Sequence, residues 1–172
     1  MFWKGNLIGR FINWFTYGFL AFIEALTMKP SVIIACTDPP FLGIMAMFIS
    51  RLRGVPYIYN CRDLYPDVAL GLQKINKGAV VYIFEYLNKK ALCAASLVVP
   101  LGLSMKNRLL AKGIKNESIR VIPDWVNTKE IKPIPREKNP LFNELKLNDT
   151  FIIMHSGNIG LAQDFSPLLQ CL

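Results

Sequence analysis

Short apolar runs rich in β-branched residues alternate with longer helix-forming stretches between Ser31 and Ile122, and this alternation most constrains the fold. Such short runs, bounded by turn residues, are typical of strands in a parallel sheet, and the first is apolar enough to be buried on both faces. Strands that alternate with helices need crossover connections, which predicts an α/β fold with a parallel sheet and helices on both faces. The predicted strands are Ser31–Ala35, Pro56–Asn60, Ser96–Val99 and Ser118–Ile122, and the predicted helices are Phe41–Arg53 with Gly54 as C-cap, Gly78–Ala95 and Ser104–Lys112.

Polar residues follow two of the predicted strands at the point where each strand ends. Thr37 and Asp38 come after the first strand, and the loop Arg62–Asp67 comes after the second. Ligands of parallel sheets bind outside the carboxyl ends of the strands, so we expect a site at this edge. Polar loops also occur there without any ligand.

The N-terminal segment, residues 1–30, is predicted to form one apolar helix. Its run Leu7–Met28 is long enough to cross a bilayer and carries ionisable groups only near its ends, at Arg10 and Glu24. No small-residue cleavage pattern follows it, which argues against a secretory signal. A membrane-spanning helix, a helix lying on a membrane surface and a helix packed in the core all remain open, and the surface helix is the preferred interpretation.

The composition changes after Ile122. Residues 123–149 are basic and rich in proline, which predicts an interdomain linker, with Asn139 as the cap of a short helix from Pro140 to Leu145. A buried strand is predicted over Thr150–His155, followed by a glycine-containing turn and by a helix that starts near Asp164. Residues 31–122 and 150–172 would then belong to two different domains.

The charge and the cysteines limit the possible function classes. The net charge is +8, and eleven of the 20 lysines and arginines lie between Lys89 and Lys138, which suits a phosphate-bearing ligand or an anionic membrane. No nucleic-acid-binding module is recognisable, so we expect no nucleic acid partner. The four cysteines lack paired spacing and the only histidine is His155, which argues against a disulfide framework, a metal site or a His-dependent triad.

Four motifs in the order seen here resemble the GT-B glycosyltransferases of family 4, in particular the WbuB/WcaI-like group of capsule, O-antigen and colanic-acid synthesis. The motifs are Thr37–Pro40, Arg62–Asp67, Val121–Val126 and Ser156–Gln163. The resemblance implies two Rossmann-like domains with a nucleotide sugar between them, of which the chain would hold the later half of the N-terminal acceptor domain and the first βα unit of the C-terminal donor domain.

The resemblance also implies an activity. Similar enzymes transfer a sugar from a nucleotide-sugar donor to a lipid-linked saccharide acceptor, usually with retention and without a metal or other cofactor. We therefore expect a peripheral protein at the cytoplasmic face of the inner membrane.

Candidate site residues follow from the resemblance and from the predicted sheet edge. Asp63 is the candidate catalytic residue, although a turn or helix-capping aspartate is an equally good interpretation. The candidates for binding the donor phosphates are Ser156, Gly157, Asn158 and Gly160, unless they form a tight turn without a ligand. Asp38, Tyr65 and Trp125 are the candidates for the acceptor side or the cleft, although a structural role is the preferred interpretation for each: a turn for Asp38, shaping of the loop for Tyr65 and attachment of the linker for Trp125. His155 is expected to be a core residue.

Family members also have a strand and a glycine-rich loop before the first motif, and a basic pair and an E-x7-E motif after the last one. The sequence contains none of these, so we expect a central fragment that transfers no sugar by itself. The alternative is the non-catalytic, membrane-bound acceptor-recognition subunit of a split glycosyltransferase.

Overall fold

A computed structural model describes residues 7–72, 78–145, 147, 151–157 and 164–171. Two compact units are present, Met1–Pro123 and Asp124–Leu172. The first unit is α/β, as predicted from the alternating pattern. Its strands are β1 (Ile33–Ala35), β2 (Tyr57–Cys61) and β3 (Leu97–Pro100), and its helices are α1 (Leu7–Thr27), α2 (Leu42–Arg53), α3 (Asp67–Gly71), α4 (Ala79–Ala94) and α5 (Leu103–Ala111).

The three strands form one parallel sheet in the order β1-β2-β3. In its central row Ala35 pairs with Tyr59, and Tyr59 pairs with Val98. All three side chains are buried and belong to the core that α2, α4 and α5 cover. The side chains of adjacent residues point to the other face, where Ile34 is 64% exposed. The prediction that the first strand is buried on both faces is therefore wrong at Ile34, because no described element covers that face of the sheet at this residue.

The fourth strand, predicted over Ser118–Ile122, forms only an isolated bridge in the structure. A 3-10 turn occupies Asn116–Ser118, so that only the residues after it are extended beside β3. Ile119 forms a parallel bridge with Val98, and the Arg120 N–H donates to the Val98 carbonyl at 3.0 Å. The short helix α3, which directly follows the polar loop after β2, was not predicted from the sequence.

Helix α2 has a glycine in its first turn, which allows it to pack closely on the sheet, and a second glycine just past its end. At Gly43 a Cβ atom would overlap the ring of Tyr59, so only glycine lets the first turn lie this near to β2. Gly54 ends the helix as predicted, with φ at 67° in the left-handed region that glycine adopts without strain.

Helix α1 lies against α2 and presents apolar side chains to solvent. A Cβ atom at Gly18 would overlap the ring of Phe41, which makes this the point of closest approach. On the outer side Phe15 is 74% exposed, and Ile12, Phe19, Leu20 and Ile23 are exposed as well. Within the described ranges, no helix combines the length and the hydrophobicity that a bilayer crossing requires.

The second unit contains two short helices, α6 (Pro140–Glu144) and α7 (Ser166–Gln170). Asn139 caps α6 as predicted, since its side-chain oxygen accepts the Leu141 N–H at 3.1 Å. Asp164 accepts the Ser166 N–H at 3.0 Å at the start of α7.

Residues 151–155 do not form the buried strand that was predicted over Thr150–His155. Residues 151–155 are in no regular element, and Phe151 is 92% exposed. Thr150 lies outside the described residues. A strand needs a neighbouring strand for its backbone hydrogen bonds, and the described part of this unit offers none.

Candidate functional site

The strands of the first unit are parallel, so the segments that follow them meet at one edge of the sheet. Asp38 follows β1, while Asp63 and Tyr65 follow β2. Both aspartates are exposed and Tyr65 is half-buried. The structure thus places three of the predicted site residues in one unit and at one edge.

Thr37 ties the two loops together. Its side chain is buried, at 3% exposure, and its Oγ1 accepts the backbone N–H of Arg62 at 3.2 Å and that of Asp63 at 3.1 Å. A single hydroxyl oxygen after β1 therefore fixes the backbone that carries Asp63 after β2. The sequence pointed to Thr37 as a polar residue at the end of a strand, but its role in supporting Asp63 was not predicted.

The phenol of Tyr65 is close enough to both aspartates to sense their charge. Burial raises the pKa of Tyr65, and the negative charges of Asp63 and Asp38 raise it further. Tyr65 therefore stays protonated at neutral pH and can donate a hydrogen bond to a ligand, whereas the two carboxylates can only accept one.

A buried asparagine on α4 supports the Tyr65 loop from below. Asn88 is 6% exposed, its Oδ1 accepts the Tyr59 hydroxyl at 2.6 Å, and its Nδ2 donates to the Tyr65 carbonyl at 2.8 Å. Next to it, the Tyr57 hydroxyl donates to the Ala91 carbonyl. Asn88 was missed in the sequence, and the signal that would have found it is one amide on the otherwise apolar inner face of a helix.

Lys112 holds the end of the loop against α4 and α5. Its Nζ lies 2.9 Å from Asp67 Oδ1 and 3.2 Å from Glu85 Oε1. Burial lowers the pKa of Lys112, but the hydrogen bonds and charges of the two carboxylates outweigh it, so that the net shift is upward. Every segment of the loop Arg62–Asp67 is thus anchored to a neighbouring element by Thr37, Asn88 or Lys112.

This edge has the groups for binding a hydroxylated molecule. Two exposed carboxylates can accept hydrogen bonds from hydroxyl groups, and a carboxylate beside a reacting hydroxyl can take up its proton. In the described ranges, no group of three or more His, Cys, Asp or Glu side chains is placed to hold a metal ion.

The other predicted site residues belong to the second unit. Ser156 and Gly157 are exposed and lie outside any helix, and Asn158 and Gly160 fall outside the described residues. Trp125 is 84% exposed. The expectation of a core histidine is wrong, because His155 is exposed, and its ring packs edge-on against Phe165 with the centroids 4.8 Å apart.

Comparison with known proteins agrees with the fold and adds the family. The family model described as "Glycosyl transferase 4-like domain" matches residues 8–125, which is most of the chain. The sequence is 21% identical over 172 residues to a probable glycosyltransferase, WbjE, of Pseudomonas aeruginosa, covering 98% of this chain and 43% of that protein. It is 26% identical over 147 residues to the putative colanic acid biosynthesis glycosyl transferase WcaI of Escherichia coli strain K12, covering 83% of this chain and 36% of that protein. The chain thus spans less than half the length of these curated relatives.

Proposed function

The chain belongs to the glycosyl transferase 4-like domain family, and from this premise we propose that it forms the acceptor side of a glycosyltransferase in bacterial surface-polysaccharide synthesis. In this proposal a sugar passes from a nucleotide-sugar donor to a lipid-linked saccharide. WcaI, whose name places it in colanic acid biosynthesis, and WbjE both support a transferase of this kind.

The arrangement of Asp38, Asp63 and Tyr65 at the carboxyl edge of the sheet carries the proposal. Thr37 and Asn88 hold the backbone of the loop after β2 by partly buried hydrogen bonds, so that the main chain that carries Asp63 and Tyr65 is fixed before a ligand arrives. Such preorganisation lowers the entropy cost of binding a flexible saccharide.

Asp63 has the central role in the proposed reaction. Its carboxylate accepts the hydrogen bond of the acceptor hydroxyl that attacks the anomeric carbon, while the bond from that carbon to the nucleoside diphosphate breaks. As the new glycosidic bond forms, the hydroxyl proton passes to the Asp63 carboxylate, and the diphosphate departs with the electron pair of the broken bond from the same face of the sugar. The anomeric configuration is retained in this proposal, as the family resemblance implies.

The donor's diphosphate is assigned to the second unit, at Ser156, Gly157, Asn158 and Gly160. Backbone N–H groups in a glycine-containing turn bind phosphate oxygens well, because small residues let the anion approach the main chain. This assignment rests on the sequence motif, and no cofactor or metal ion takes part in the proposed transfer.

A peripheral position at the cytoplasmic face of the inner membrane completes the proposal. The exposed side chains of Phe15, Phe19 and Ile23 on α1 support it, since apolar side chains on one helix face insert into the interfacial region of a bilayer. The net charge of +8 favours contact with anionic headgroups. Both features suit an acceptor that is itself anchored in the membrane.

The direct test is binding of the acceptor by the purified chain. Vesicles of phosphatidylethanolamine and phosphatidylglycerol are prepared with and without a polyprenyl-diphosphate-linked saccharide, and co-sedimentation of the chain is measured. We expect stronger retention on the vesicles that carry the saccharide, and loss of that difference in Asp63→Asn. Equal retention on both vesicles would contradict the proposed acceptor role, whereas absence of any retention would contradict the membrane position as well.

A further inference from the structure

A cleft of about 380 Å³ opens beside the Tyr65 loop, and it is separate from the exposed aspartates. Side chains of α4 between Tyr82 and Leu92 form one wall, and Lys112, just past the end of α5, contributes to another. Small-molecule sites typically have volumes of about 300–1,000 Å³, and this cleft lies in that range. Tyr65 is the residue that the cleft shares with the candidate site described above.

Three tyrosines belong to the lining of this cleft. Tyr82 and Tyr86 are four residues apart on α4, so their rings lie on the same helix face, and they are 60% and 57% exposed. The ammonium group of Lys90 lies 4.6 Å from the centroid of the Tyr86 ring, which holds that ring in place. Together with Tyr65, they offer three phenol rings to whatever enters the cleft.

The described charged side chains that line the cleft are Glu85, Lys89 and Lys112, which sum to +1. Asp67 lies outside the lining and offsets this charge through its ion pair with Lys112. Lys112 is already paired with both carboxylates. Among the described residues, Lys89 has no hydrogen-bond acceptor or ion-pair partner, and its Nζ lies near Gly113. In the described part of the chain, an anionic phosphate or nucleotide would meet only one lining cation without a partner, Lys89, with the carboxylate of Glu85 on the same wall.

A sugar ring suits the volume of the cleft, its tyrosine rings and the charged groups at its rim. The C–H faces of a pyranose pack against aromatic rings, and its hydroxyl groups hydrogen-bond to ammonium and carboxylate groups at the rim. We infer that this cleft is a subsite for a neutral pyranose unit of the acceptor saccharide, held between Tyr82 and Tyr86 with Lys89 and Glu85 at its hydroxyls. This inference rests on the proposed function for the source of the saccharide.

The position of Tyr65 gives the subsite its use. Its loop carries Asp63 on one side and borders the cleft on the other, so a saccharide chain bound in the cleft is directed towards the carboxylates. The cleft would therefore select which saccharide is extended and hold it, without taking part in bond formation.

The test uses the whole chain and simple sugars, without any donor or lipid. Methyl glycosides of glucose, galactose and N-acetylglucosamine are titrated and followed by protein amide shifts in NMR, with inorganic phosphate and uridine diphosphate as comparison ligands. We expect at least one glycoside to bind in the millimolar range with shifts at α4 and Tyr65. Tyr82→Ala and Tyr86→Ala should each weaken this binding about fivefold, as expected for the loss of one aromatic contact.

Tyr17→Ala is the matched control, because Tyr17 is also a tyrosine on a helix surface, 55% exposed, and lies on α1 away from the cleft. It should leave glycoside binding unchanged. Since Tyr82 and Tyr86 are exposed, their replacement should not alter the thermal midpoint. A second pair, Lys89→Gln and Lys115→Gln, repeats the test with a cleft lysine against an exposed lysine that does not line the cleft.

Three results would overturn the inference. They are no glycoside binding at all, glycoside binding that both tyrosine variants leave intact, and tighter binding of phosphate or uridine diphosphate in the cleft. The vesicle test of the proposed function depends on Asp63 and is independent of these three results. Failure of the subsite and failure of the proposed function are therefore distinguishable.

Discussion

Replacing Asn88 by leucine should destabilise the first unit by about 2–4 kcal/mol, because one amide serves two partners there. In Asn88→Leu the hydroxyl of Tyr59 and the carbonyl of Tyr65 both lose their hydrogen bond. Tyr59 is only 1% exposed, so water cannot replace the lost acceptor. An unpaired buried polar group costs about 1–3 kcal/mol, and the Tyr65 carbonyl, which lies nearer to the surface, is at the lower end of that range.

A double-mutant cycle isolates the buried bond between the two side chains. Tyr59→Phe alone leaves the Asn88 oxygen without a donor and should cost about 1–2 kcal/mol. The double variant lacks the Tyr59 hydroxyl that Asn88→Leu alone leaves unpaired. Its loss of stability should therefore be about 1–2 kcal/mol smaller than the sum of the two single losses. The assay is urea unfolding followed by circular dichroism, with an unchanged denaturant slope as the sign that only stability has changed.

Asn107→Leu is the matched control for this cycle. Asn107 is exposed on α5, and its replacement should change the free energy of unfolding by less than about 0.5 kcal/mol. Additive costs in the cycle, or an Asn88→Leu variant as stable as the control, would refute the reasoning that a buried amide supports the Tyr65 loop.

Three further predictions concern the groups around the same loop. Thr37→Val should lower the free energy of unfolding in urea by about 1–3 kcal/mol, because two backbone N–H groups lose their acceptor. Thr37→Ser keeps the hydroxyl and should lower it less. Equal losses of stability in the two variants would exclude the hydrogen bonds as the cause. Lys112→Gln should lower stability by at most about 1 kcal/mol at neutral pH. The pKa of Lys112 is raised in the folded protein, so its contribution is complete below the ordinary lysine pKa and is lost as the pH rises through the raised value. A difference in stability between the two proteins that does not shrink as the pH rises above the ordinary lysine pKa would contradict this. Burial raises the pKa of the Cys61 thiol to about 12, so iodoacetamide at neutral pH should label Cys36 and Cys93 in the folded protein and Cys61 only after unfolding, as mass spectrometry of the peptides would show.

The order of strands and helices in the first unit could be predicted because it depends on local pattern. Apolar runs such as Tyr57–Cys61 and the glycine after α2 report directly on backbone conformation and burial. The edge at which Asp38 and Asp63 meet followed from the parallel topology alone.

The support of that edge could not be predicted in the same way. Thr37 and Asn88 act through partners 25 and 29 residues or so away in sequence, and pairing across such distances depends on how elements pack. The sequence shows a threonine and an asparagine, and only the fold shows that their polar atoms face Asp63 and Tyr59.

The predicted strand over Thr150–His155 failed for a related reason. Its apolar composition satisfied the pattern of a strand, but a strand also needs hydrogen-bonding neighbours, which composition does not provide. In the described residues of the second unit Phe151 and Met154 are exposed instead. Local pattern is thus a good guide to a strand only where neighbouring strands pair with it.

The most direct test of the acceptor site is an amide chemical-shift map of the chain with a water-soluble, short-chain polyprenyl-diphosphate-linked saccharide. If the carboxyl edge of the sheet binds the acceptor, the largest shifts should fall on Thr37, Asp63 and Tyr65, and Asp63→Asn should reduce them. Val55 and Ser96, at the opposite ends of the strands, should be unaffected. Shifts confined to those opposite ends, with none in the loop after β2, would contradict the account.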